Sequence, residues 1–209
     1  FKNRKPRNEF GSKKIKTAAG IFFIFLIIST FTQVLTGCKA QPEADLNNKY
    51  YYSFTDSLGK IVNLDYKPQR VVSLVGSYAE TWILAGGNLV GVTNDVISER
   101  NIDLPEETKI VGTIKDPNLE EIIDLSPDFV LLSPDIESHV RISETLRKAN
   151  IQFAFFKVEH FEDYLDMLKI CTDITGNKEL YEKNGLAVRE QIDAVLSKID
   201  NKNNADILF

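Results

Sequence analysis

Few residues of this 209-residue chain have the chemistry of a catalytic or metal site. The histidines are His139 and His160, and the cysteines are Cys38 and Cys171. None of the four has the close spacing of zinc ligands, and no Gly-x-Ser-x-Gly or phosphate-binding glycine loop occurs. We therefore predict no enzyme, no metal centre and no cofactor. Both histidines are interpreted as surface residues, and Cys171 as a buried apolar residue.

Three aspartates are the next candidates for a metal site. Asp95, Asp116 and Asp135 each follow an apolar segment, so a sheet could bring them together around a cation. The alternative is that they are solvated turn formers, which is the commoner role of aspartate in loops. We favour the turn interpretation.

Residues 70–92 predict the element that would position such loops. A valine-rich strand ends at a Gly76-Ser77-Tyr78 turn, and a helix and a second apolar strand follow. Ser77 and Glu80 have capping-box spacing, so we expect them to cap this helix, with Trp82 in the core. Parallel strands need a crossover of this kind.

The pattern recurs along the chain and predicts the fold class. Apolar strands at 129–132 and 151–158 alternate with helical patterns, after a predicted hairpin at residues 50–64. This order predicts an α/β fold with an open parallel sheet and helices on both faces. Ligands of such sheets bind outside the carboxyl ends of the strands.

The first 49 residues predict export. Seven lysines and arginines precede an uncharged apolar run over residues 18–37, which ends in Leu35-Thr36-Gly37-Cys38. This resembles a lipobox and predicts a signal peptide over 1–37, lipidation of Cys38 and a polar tether over 38–49. An uncleaved anchor helix is the alternative. Either anchor holds the rest of the chain at the outer face of a cell membrane, and a net charge of −5 argues against nucleic acid.

Together these segments resemble the substrate-binding proteins of ABC importers for iron-siderophores, haem and cobalamin. The resemblance rests on an ordered set of motifs: Asp56-x-x-Gly59, 67–74, Ser77-x-Ala79-Glu80, 89–92, Val111-Gly112, 118–122 and 126–130. The family has two α/β lobes joined by one long helix, with the ligand between them. The resemblance implies an amino-terminal lobe over 50–176, the long helix over 177–201, and the start of a second, truncated lobe over 202–209.

The resemblance also implies a function. Such a protein captures an iron chelate or a cobalamin-like ligand and delivers it to the permease and ATPase of the importer. Glu120 matches the acidic residue through which the family contacts permease arginines. The alternative is that Glu120 is a first-turn glutamate, which interacts favourably with the helix dipole. The expected ligand contacts follow the strands: Gly76, Ser77, Tyr78, Thr93, Asn94, Asp95, Thr113, Ile114, Lys115, Ser133, Pro134 and Asp135. Tyr78 could stack on a flat ligand, and Lys115 could meet an anionic group.

A second function remains open. The same fold could serve as a lipid-anchored sensor or scaffold that contacts proteins and binds no small ligand. Genes for an importer permease and ATPase beside this one would favour transport.

Overall fold

The computed structural model describes residues 49–200. The predicted signal peptide, the lipidated Cys38, almost all of the tether and the strand expected over 202–209 lie outside these residues. Within the described part, no helix has both the length and the apolar character needed to cross a bilayer.

An open parallel sheet carries the fold, as predicted. Its strands are β3 (Val71–Ser73), β4 (Leu89–Val92), β5 (Lys109–Ile110), β6 (Phe129–Leu132) and β7 (Gln152–Phe155). All neighbouring strands are parallel, in the order β5-β4-β3-β6-β7. The carboxyl ends of all five strands therefore meet at one edge.

Alternating side chains build a core on each face of this sheet. Val71 and Phe129 point into one cluster, whereas Val72 and Val130 point into the other, as the two-residue period of a strand requires. Helices α1 (Gly76–Leu84) and α5 (Phe161–Thr175) cover the first face. Helices α3 (Leu119–Asp124) and α4 (Glu137–Lys148) cover the second. A short helix α2 (Asp95–Ser98) follows β4.

The predicted hairpin protects one border of the sheet. Strands β1 (Tyr52–Thr55) and β2 (Ile61–Leu64) pair antiparallel. At their turn, the Ser57 amide donates to the Phe155 carbonyl at 2.9 Å, and the Lys157 amide donates to Ser57 Oγ at 2.8 Å. The first bond satisfies a backbone carbonyl of β7 and the second a backbone amide just after it, groups that an edge strand would otherwise expose.

The predicted long helix is interrupted near its start. Helix α6 (Lys178–Tyr181) passes into a π-helical turn over Glu182–Leu186 and then into α7 (Ala187–Asp200). Gly185 lies in this turn, where a methyl group would approach Leu165 Cδ2 to 2.9 Å. The turn lets the helix backbone pack closely against α5, and such bulges inside helices often mark functional sites.

The predicted capping box of α1 is wrong. The helix begins at Gly76, with Val75 as the N-cap, so Ser77 lies inside the first turn. The Gly76 amide donates to Asp95 Oδ2 at 2.6 Å, and Glu80 forms an ion pair with Arg100. A carboxylate from the neighbouring loop thus replaces the local cap, and no local sequence pattern records that contact. Trp82 lies in the core, as predicted, with 2% exposure.

Candidate functional site

The rim is our name for the loops that follow β3, β4, β5 and β6 at the carboxyl edge of the sheet. All twelve predicted contact residues lie on these loops or in the first turns of the helices after them. The parallel order of the strands explains this placement, because each strand leaves the sheet on the same side.

Exposure divides the rim residues into two layers. The outer layer is open to solvent and contains Asn94, Thr113, Lys115 and Asp135, with Ser77, Ile114 and Pro134 half-buried. The inner layer is buried and contains Gly76, Tyr78, Thr93, Asp95 and Ser133. Only the outer layer can contact a ligand directly in this arrangement.

Tyr78 belongs to the inner layer and is not available for stacking. Its ring is 5% exposed and packs edge-on against Phe156, whose carbonyl accepts a 2.5 Å hydrogen bond from the Tyr78 hydroxyl. Burial raises the pKa of this hydroxyl. The side chain therefore ties α1 to the segment after β7.

Cations on and beside the rim differ in their partners. Lys157, after β7, lies 3.3 Å from Glu159 and 3.4 Å from Asp135, and hydrogen bonding to Glu159 is the main reason that its pKa is raised. Arg100 is paired with Glu80 at 3.2 Å. Among residues 49–200, Lys115 has no carboxylate within ion-pair distance. Lys115 is thus the rim cation best able to accept an anion.

The sequence prediction missed Arg100, Lys157 and Glu159. Lys157 could have been found by the rule that gave the other residues, because it follows a strand of the same sheet. The predicted strand extended to Val158, whereas β7 ends at Phe155. Arg100 follows a four-residue helix that the sequence did not predict.

His139 was predicted at the surface, and this is wrong. Its side chain is fully buried, and the two ring nitrogens contact different rim loops. The Ser133 amide donates to Nδ1 at 3.1 Å, and Nε2 lies 2.8 Å from the Ile114 carbonyl. Burial lowers the pKa of the ring, which favours the neutral form. His160, by contrast, is exposed, as predicted.

Two cavities lie near the rim. One, of about 260 Å³, lies between α1 and α5 and is lined by Ser77, Tyr78, Glu80, Thr81, Leu84, Arg100, Val158 and Tyr164. The other, of about 420 Å³, lies between the β1–β2 hairpin and α5 and contains no predicted contact residue. Of these two, only the smaller cavity is lined by predicted contact residues, Ser77 and Tyr78.

Metal ligation finds no support within residues 49–200, where no three His, Cys, Asp or Glu side chains are grouped to hold an ion. Asp95 is buried against Gly76, while Asp116 and Asp135 are exposed. Cys171 is fully buried, as predicted, and burial raises the pKa of its thiol.

Glu120 lies in the first turn of α3 with its side chain exposed. Asn118 caps this helix: its Oδ1 accepts hydrogen bonds from the amides of Glu120 at 3.1 Å and Glu121 at 3.3 Å. Both glutamates are thus presented to solvent from an ordered helix start.

Comparison with known proteins agrees with this fold. The sequence model of the family described as periplasmic binding protein matches residues 71–209. The chain is 27% identical, over 193 residues, to YhfQ of Bacillus subtilis, whose own assignment as an ABC transporter substrate-binding lipoprotein is provisional. That alignment covers 88% of this chain and 59% of YhfQ.

Several solved structures share the fold. The siderophore-binding protein BauB, bound to acinetobactin and ferric iron, has a TM-score of 0.59 at 22% identity, covering 70% of this chain and 53% of BauB. The iron-uptake substrate-binding protein PiuA of Streptococcus pneumoniae has a TM-score of 0.59 at 20% identity, covering 72% of this chain and 54% of PiuA. The chain therefore spans little more than half the length of these relatives.

Proposed function

This chain belongs to the periplasmic binding protein family, and from that premise we propose that it captures ligands for an ABC importer outside the cytoplasm. The observation that carries the proposal is the rim itself. Four loops leave one sheet edge together, and the loops after β4, β5 and β6 present the exposed polar side chains of Asn94, Thr113, Lys115 and Asp135. Such an edge is where ligands of open α/β sheets bind.

The described residues would supply one wall of the binding cleft. In this proposal residues 50–176 form the amino-terminal lobe, and the helix through α7 leads to a second lobe that begins after residue 201. An apolar stripe on α7 supports this arrangement. Val188, Ile192, Val195 and Leu196 are 37–55% exposed at helical spacing. A second lobe would cover that stripe.

A ferric siderophore is the ligand class we favour, with haem and cobalamin as alternatives. Lys115 would pair with an anionic group of the chelate, such as a catecholate or carboxylate. Asn94, Thr113 and Asp135 would offer hydrogen bonds beside it. Because Lys157 and Arg100 already hold carboxylate partners, Lys115 would contribute most of the charge recognition.

Titration of the complete gene product tests this function. Isothermal titration calorimetry with ferric catecholate, ferric hydroxamate, haem and cobalamin should show binding of one class. Lys115→Glu should weaken binding of an anionic chelate at least tenfold, since it replaces attraction by repulsion. Lys109→Glu, at the exposed start of β5, is the matched control. Binding of none of the four would favour the scaffold role instead.

Delivery to the permease is the second part of the proposal. Glu120 would contact an arginine of the membrane domain through a charge-assisted hydrogen bond. Glu120→Arg should reduce uptake by cells and leave ligand affinity unchanged. Glu121→Arg is the control, because this neighbour has the same charge and exposure and shares the same cap. Equal uptake defects in both variants, or none in Glu120→Arg, would contradict the docking role.

Anchoring is proposed from the sequence of residues 1–38, with Cys38 as the lipidated residue. Radiolabelled palmitate should be incorporated into the wild-type protein and not into a Cys38→Ser variant. Incorporation into both would contradict the assignment of Cys38.

A further inference from the structure

The hydrogen bonds of the buried His139 ring determine which of its two nitrogens carries the proton. An amide N–H can only donate, so Nδ1 must accept the hydrogen bond from Ser133 with a lone pair. A carbonyl can only accept, so the proton must reside on Nε2, which donates to Ile114. The structure thus specifies one neutral tautomer. Protonation of Nδ1 would place two donors face to face.

Among residues 49–200, no other hydrogen bond or ion pair joins the two loops that His139 contacts. Ser133 follows β6 and Ile114 follows β5, and strands β4 and β3 lie between them in the sheet. Three strand spacings separate the origins of these loops by about 14 Å. The ring is therefore a cross-link between loops from non-neighbouring strands.

Asp95 performs a related task between the other two loops. It follows β4, and its Oδ2 accepts the amide of Gly76, which follows β3. Asp95 is also the charged group that acts on His139, where it opposes the pKa decrease caused by burial. Lys115, Asp116 and Asp135 lie on the loops that the ring joins, and all three are exposed.

We propose that neutral His139 is a positioning residue, which holds the 113–116 and 133–136 loops in the relative arrangement that a ligand meets. Its importance for binding rests on the proposed function, because Lys115 and Asp135 lie on the two joined loops. The cross-link between the loops does not depend on any ligand. Asp95 ties the other two loops, so that two buried side chains join the four loops of the rim in two pairs.

Amide hydrogen exchange on the complete gene product tests the cross-link. His139→Ala should speed exchange about tenfold in both loops and leave 71–73 and 129–132 unchanged, since only the ties are lost. His139→Gln should restore slow exchange in both, because one amide group offers an acceptor and a donor and does not titrate. Acceleration in one loop alone, in neither, or equally in Ala and Gln variants would overturn the proposal.

A measurement on the wild-type protein remains informative should the Ala variant fail to fold. Nitrogen NMR should show a protonated Nε2 and an unprotonated Nδ1 on His139 at pH 7. The reverse tautomer would overturn the proposal.

Ligand binding at different pH values separates the cross-link between the loops from its proposed role in ligand binding. Affinity for a bound ferric chelate should fall as acid protonates His139 in the wild type and stay within threefold over the same pH range in His139→Gln. An equal fall in both proteins would remove His139 from ligand positioning. Failure of every chelate to bind would refute the proposed function and leave the exchange result standing.

Discussion

The two ends of the parallel sheet use the same kind of bond in different surroundings. At the amino ends, the Asp128 carboxylate accepts from the amides of Gln69 at 2.7 Å and Arg70 at 2.9 Å, and both partners are exposed. At the carboxyl ends, Asp95 and His139 bind backbone groups while buried. Water can replace a tie of the first kind and cannot reach one of the second. The rim is therefore the end whose shape depends on its hydrogen bonds.

The largest expected effect comes from comparing substitutions of two aspartates, one at each end of the strands. Asp95→Ala should lower the free energy of unfolding by about 3 kcal/mol, because it leaves the buried Gly76 amide, at the start of a helix, without a hydrogen-bond acceptor. Asp128→Ala should cost about 1 kcal/mol although it removes two bonds. Urea denaturation measures both. An equal or larger loss in Asp128→Ala would break the comparison.

Gly76, whose amide donates to Asp95, offers a second test of the same contact. A methyl group there would lie 2.6 Å from Asp95 Oδ2 and 3.1 Å from the Val96 backbone nitrogen. Gly76→Ala should therefore destabilise the protein by about 2 kcal/mol through overpacking.

Gly59 is the control for that substitution. It has a positive φ of 73° and open space around it, so Gly59→Ala should cost only about 1 kcal/mol of backbone strain. A milder effect at Gly76 than at Gly59 would show that the rim is loosely packed.

Low pH should lower the stability of the protein through His139, at the carboxyl ends of the strands. The folded-state pKa of His139 lies below its ordinary 6.5 because the ring is buried, so the unfolded chain binds a proton that the native protein does not. The stability contributed by neutral His139 is complete above pH 6.5 and is lost as pH falls below it, by at most about 1.4 kcal/mol per pH unit.

His139→Gln is the reference for this pH effect. Thermal or urea unfolding of both proteins between pH 8 and 5 should show their stabilities diverging only on the acid side. Parallel curves would show that His139 titrates normally in the folded protein.

The smallest expected effect concerns the exposed cap of α3. Asn118→Ala should cost about 1 kcal/mol, as N-cap substitutions do. Asn94→Ala should cost less, because the Asn94 side chain makes no capping bond. Circular dichroism during urea unfolding would detect the difference, and a larger loss at Asn94 would contradict the assigned cap.

Periodicity predicted the parallel sheet well, and it failed at the rim for a physical reason. Apolar runs such as Phe129–Leu132 report their own burial on both faces. The burial of His139 depends on two backbone groups, at Ile114 and Ser133, that no pattern around residue 139 records. The same holds for Asp95, which replaces the predicted cap of Ser77. The apolar stripe on α7 has helical spacing, yet Val195 and Leu196 are exposed because the described residues provide no partner.

Hydrogen exchange of the complete gene product, with and without a ferric chelate shown to bind, tests the central claim most directly. The account predicts new protection in the loops at 93–95, 113–116 and 133–136, and none at the amino ends of the strands near Gln69 and Asp128. Protection confined to the amino ends, or to the cavity between the β1–β2 hairpin and α5, would contradict the assignment of the rim as the binding surface.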